Sequence, residues 1–130
     1  MNTSRKLASV RIVKELKDIT GANKIQLALI DGWQCVVNKN EFKVGDKCIY
    51  FEIDSFLPIE DQYEFLRKSS FKSTENLGEG FRIRTIKLKG QLAQGLLLPL
   101  ENQELEVGTD LTEELNVKLF ETPIPANIGG

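Results

Sequence analysis

With 130 residues, 41% of them apolar and 28% charged, the chain has apolar side chain enough for one core, which excludes intrinsic disorder. The formal charge of −2 hides a division: residues 1–100 hold 16 Lys and Arg against 12 Asp and Glu, and residues 101–130 hold 1 against 7. Histidine is absent, which excludes Ser-His-Asp and Cys-His nucleophile systems and removes the commonest zinc ligand.

From residue 7 to 16 the chain alternates as a first strand, with Val10 and Ile12 inward and Arg11 and Lys14 outward. A hairpin follows: Ile25, Leu27 and Leu29 repeat every second residue, Asp31-Gly32 supplies a positive-φ turn, and Trp33, Cys35 and Val37 repeat again. That parity assigns Trp33 to the core. After a turn at Val44-Gly45-Asp46, Ile49, Phe51 and Ile53 share one strand face, and Cys48, Tyr50 and Glu52 the other. Pro58, Glu60 and Asp61 open a helix of about ten residues, with Ile59, Tyr63 and Leu66 at helical spacing and Arg67-Lys68 at its end.

Residues 69–80, rich in Ser, Asn, Glu and Gly, read as an exposed loop. Two strands are expected over 81–89 and 92–98, separated near Gly90; Gly90 and Gly95 read as structural glycines that let the chain turn and pack closely. A short second helix is expected over 110–116, capped by Thr109 or Asp110, and ETPIPANIGG at 121–130 reads as a linker. Six short strands with one helix point to a mainly β chain. The expected architecture is a small OB-like or SH3-like antiparallel β-barrel over 1–120, with a helical and loop insertion at 55–80 and a short C-terminal helix.

Residues 81–100, FRIRTIKLKGQLAQGLLLPL, carry four cations and no anion. A regular strand would either bury two arginines or expose Ile86 and Leu88. A β-bulge near Thr85-Ile86 instead sets Arg82, Arg84, Lys87 and Lys89 on one side and Phe81, Ile83, Ile86 and Leu88 on the other. Such a stripe suits phosphate contacts, with Arg5, Lys6 and Arg11 extending the track, and equally suits a solvated face that resists edge pairing. Tyr50, opposite in parity to Ile49, Phe51 and Ile53, is the expected base-stacking residue. The acidic end reads as a solubilising tail or as a segment folding back on the basic face.

No Walker loop, no GxGxxG and no dense carboxylate loop for a hard cation occurs, so no catalytic residue and no metal ligand is assigned. Lys87-Leu88-Lys89-Gly90 formally fits the KxxG of a nucleotidyltransferase lysine, but without the KxDG form Lys87 reads as a surface or phosphate-contacting lysine. Cys35 and Cys48 sit in apolar runs and read as buried thiols of a reducing, intracellular compartment, cytoplasm or nucleus, with a cross-strand disulfide as the alternative. There is no signal-like or membrane-spanning apolar run.

The blocks SRKLASVRIVKEL, GANKIQLALIDGWQCVVNKNEFKVGDKCIYFEIDSFLP and FRIRTIKLKGQLAQGLLLPL, in that order, resemble the N-terminal OB domain of a family of ATP-dependent RNA ligases. The resemblance implies an RNA-binding accessory domain that engages substrate during end joining or nick sealing and has no cofactor of its own. It implies that ATP and a divalent metal are used by a nucleotidyltransferase domain outside this chain, toward which 121–130 would lead. A shorter resemblance, through Ala22-Asn23-Lys24-Ile25 and residues 89–95, is to tRNA-binding OB modules, from which the chain departs at Ala93, where a serine is usual. The expected partners are RNA and that ligase domain, in cis or in trans. The competing expectation is a protein-interaction module that docks on the nucleotidyltransferase domain.

Overall fold

A computed structural model of the chain describes residues 6–120. The architecture is mainly β and antiparallel, with twelve short strands and one short helical stretch among those residues. Strand β1 (Ala8–Ile12) runs on into β2 (Glu15–Asp18), and the two halves serve different sheets. The exchange falls at one peptide: Val13 N–H donates to Asp46 O, and Lys14 N–H donates to Leu29 O. β1 pairs with β5 (Lys47–Phe51), which pairs with β11 (Leu96–Pro99); β2 pairs with β3 (Ile25–Ile30), which pairs with β4 (Trp33–Asn38). No single hydrogen-bonded sheet closes on itself. β11 instead lies against β4, where Gln94 N–H donates to Gln34 O at 2.8 Å and Gln34 Nε2 donates to Leu92 O at 2.7 Å.

The β1-β5-β11 sheet is buried on both faces, and its parity explains how. Cys48, Tyr50 and Leu97 join Val13, Ala28, Ile30, Cys35 and Val37 in a core between the two three-stranded sheets. Ala8, Val10 and Phe51, of the opposite parity, form a second core with Leu57, Tyr63, Phe81, Ile83 and Leu111. That second core is roofed by a four-stranded sheet of β12 (Lys118–Leu119), β6 (Ser55–Leu57), β8 (Gly78–Arg82) and β7 (Phe71–Thr74). The expected inward Val10 and outward Arg11 therefore lie on two packed faces of one strand, Val10 buried and Arg11 half-buried. Tyr50, expected to be exposed, is only 2% exposed, and its hydroxyl donates to Gln94 O at 2.6 Å.

Several expected elements take a different form. Residues 69–80 are not a loop but hold the β7–β8 hairpin, in which Phe71 pairs with Phe81. The Thr74 hydroxyl closes its turn by accepting from Leu77 N–H, so the polar composition reflects turn chemistry and not an open segment. The helix is a 3-10 stretch, Asp61–Leu66, leading into one α-turn, α1 (Arg67–Ser70), with no side-chain cap. Over 110–116 the cap forms without a helix. Asp110 Oδ1 accepts from Thr112 N–H and from its hydroxyl, Leu115 N–H donates to Leu111 O, and Asn116, at φ 56°, ends the turn. The acidic segment is no loose tail: Val10 N–H donates to Thr109 O, Leu111 N–H donates to Ala8 O, and Lys47 Nζ donates to Gln103 O and Leu105 O. Residues 121–130, the expected linker, lie outside the described residues.

Candidate nucleic-acid interface

The single bulged strand expected at 81–89 is two strands in different sheets. Ile83 N–H still donates to Ser55 O, but β9 (Ile86–Leu88) leaves to pair with β10 (Gln91–Ala93) in a two-stranded ribbon. The ribbon turns on Lys89 and Gly90 at φ 53° and 81°, the left-handed pair that tight antiparallel hairpins require. Ile86 and Leu88 are consequently not core residues. They are 47% and 39% exposed and line a groove with Val36, Phe65, Leu96 and Leu98. Lys87, opposite Leu92, has the other parity.

The strand break divides the expected stripe. Arg82 turns to the body: its Nη2 donates to Asp54 Oδ1 at 3.0 Å, its guanidinium carbon lies 4.4 Å from the centroid of the Phe120 ring, and its side chain is 24% exposed. Arg84, Lys87 and Lys89 are exposed and form no ion pair among the described residues. Of the four cations in 81–89, these three keep the exposed character the sequence suggested. Lys6 belongs to another part of the surface, where its Nζ donates to Gly108 O. Arg11 is engaged by Ser9 Oγ and by Asp31 Oδ2 at 2.8 Å. Arg5 lies outside the described residues. Tyr50 is corrected outright, because a phenol buried in the inter-sheet core has no face for a base.

Among the described residues, and besides Phe65 at 61% exposed, the aromatic side chain that reaches solvent is Trp33, 43% exposed. It shares parity with Cys35 and Val37, but it occupies the last rung of the β3–β4 hairpin, opposite Ile30 and directly after Gly32, so it stands at the rim. Parity assigns a face and not a depth along the strand; its place beside Asp31-Gly32 was the available signal. Below it, Asp31 accepts from Lys14 at 2.9 Å and from Arg11, and these hydrogen bonds, Lys14 first, hold its carboxyl below the usual carboxylate range.

Cys35 and Cys48 are free thiols, each pushed up to about 12 by burial, which leaves them protonated and unreactive at neutral pH. No three His, Cys, Asp or Glu side chains gather to hold a metal ion among the described residues, and none of the helical elements there is long and apolar enough to cross a membrane.

The model of an OB-fold domain family matches residues 7–100. The chain is similar to solved structures of the Naegleria gruberi RNA ligase. A mutant in its apo form matches at 43% identity and a TM-score of 0.88, covering 98% of this chain and 39% of that one. The ligase with PPi matches at 44% identity and a TM-score of 0.86, again over 98% of this chain and 39% of that one. A mutant with ATP and Mn matches at 43% identity and a TM-score of 0.86, over 95% and 38%. This chain thus spans less than two-fifths of the ligase it matches. Comparison with curated proteins gives no match.

Proposed function

The chain belongs to the OB-fold domain family, and we propose that it serves as the RNA-engaging domain of an ATP-dependent RNA ligase, holding substrate during end joining. The observation that carries the proposal is the amphipathic β9–β10 ribbon with its approach. Exposed Arg84, Lys87 and Lys89, with no ion pair among the described residues, stand on a domain 43–44% identical to an RNA ligase over nearly the whole length of this chain. Cations free of carboxylate partners are the ones able to release counterions from a phosphate backbone, because no internal ion pair must first be broken. They give affinity without choosing a sequence.

The similar ligase structures include one with ATP and Mn, but the described residues of this chain do not fit that pair. No carboxylate cluster accompanies Lys87, so no nucleotide step is assigned to it. ATP and metal chemistry belong, in this proposal, to a nucleotidyltransferase domain in the same or another chain. Replacing Arg84, Lys87 and Lys89 together by Ala tests the reading. Binding to single-stranded RNA near 50 mM salt should weaken about tenfold or more, and the salt slope should fall by about 0.7 per lost contact. Unchanged affinity and slope would overturn it.

The groove lined by Phe65, Ile86 and Leu88 favours a second reading, in which the apolar side of the same ribbon docks on the nucleotidyltransferase domain. Phe65, 61% exposed, is its most open apolar residue. A Phe65→Ser change would then weaken association with that domain and leave RNA binding by the isolated chain intact.

A further inference from the structure

At the turn end of the β3–β4 hairpin, Trp33 borders a cleft of about 360 Å³ shared with Lys14, Glu15, Asp31, Gln34 and Gln94. Its charges cancel internally: Asp31 accepts from both Lys14 and Arg11, and Glu15 supplies a second carboxylate. Such a cleft has little to offer a phosphate. It does have an exposed indole and two amides. Gln34 is held in place by its Nε2 donation to Leu92 O, which leaves its Oε1 to accept, and the Gln94 main chain is anchored by its N–H bond to Gln34 O. An aromatic side chain in one cleft with an anchored amide oxygen that can accept and a second amide that can donate or accept matches the needs of a flat, uncharged heterocycle with polar edges.

We infer that this cleft is a nucleobase subsite, taking one unpaired base against Trp33 with its edge toward Gln34 and Gln94. The inference rests on the RNA-binding reading and deepens it by dividing the work: the ribbon cations carry phosphates, and the rim cleft carries a base. A paired base inside a duplex cannot lie on the indole, so the site selects single-stranded or frayed RNA. Asp31 and its two cations set the shape of the cleft floor and do not contribute a phosphate contact.

Trp33 is the only tryptophan in the chain, so intrinsic fluorescence reports on this cleft alone. The test titrates the chain with a short single-stranded RNA and with an abasic oligonucleotide of equal length. The base-bearing strand should quench Trp33, and the abasic strand should bind by anisotropy without quenching. Trp33→Ala should weaken binding of labelled single-stranded RNA about 5- to 100-fold with the salt slope unchanged, and Trp33→Phe should recover part of that loss. Binding of both strands without quenching, together with unchanged affinity of Trp33→Ala, would overturn the subsite and leave the ribbon reading standing. Failure of both strands to bind would overturn the two together.

Discussion

Asp31 occupies the first turn position of the β3–β4 hairpin at φ 35° and accepts from Arg11 and Lys14 at 2.8 and 2.9 Å. The left-handed backbone there tolerates Asp and Asn better than bulkier side chains, so the turn residue and the ion-pair residue are the same one. Its carboxyl is held below its ordinary value of 3.8. A group whose pKa is lowered by folding stabilises the native state above the unfolded value, and that contribution is lost as pH falls through the folded value. Asp31→Asn keeps the turn and removes the charge. Urea unfolding at pH 7 should show the variant weaker by about 1 kcal/mol or less, as for partly exposed pairs, with the gap closing as the pH drops below about 3.8. A gap that persists undiminished in acid would mean that the carboxylate charge is not what Asp31 contributes.

Gly90 and Gly95 bound the β10 region and show two different demands on an element. Gly90 has an open surrounding and needs only its positive φ. Gly95 combines φ 124° with a close approach: a Cβ there would lie 2.5 Å from Tyr50 Cε1 and 2.6 Å from Phe51 O. Backbone cannot yield as a flexible side chain does, so Gly95→Ala should destabilise by about 1–3 kcal/mol, more than Gly90→Ala, as read by urea midpoints. Equal midpoints would contradict the close-packed seam. The sequence pattern made both glycines structural, and the β3–β4 hairpin with its Asp31-Gly32 turn was equally legible, because these depend on neighbours along the chain. The break after Arg82 was not. It depends on Ser55 and Asp54 holding Ile83 and Arg82 while Ile86 departs to pair with Ala93. The 69–80 hairpin was hidden for the same reason, since Phe71 needs Phe81 across the sheet.

Across the whole molecule, one sheet with apolar residues on both faces joins an inter-sheet core to a second core under the β12-β6-β8-β7 sheet. Double burial explains why alternation misplaced Tyr50: on a two-sided sheet, opposite parity to Phe51 means the other core and not solvent. The acidic stretch after residue 100 is bonded along β1 through Gly108, Thr109 and Leu111. Of the suggested cationic track, Arg84, Lys87 and Lys89 remain open, and Arg11 and Arg82 hold the fold together. The measurement that tests RNA engagement most directly is anisotropy of this chain with labelled single-stranded RNA at about 50 and about 200 mM salt, beside a nicked duplex. Three phosphate contacts predict affinity falling about 20-fold between the two salts, with the single strand bound more tightly than the duplex. Absence of binding at the lower salt, or binding indifferent to salt, would contradict the account.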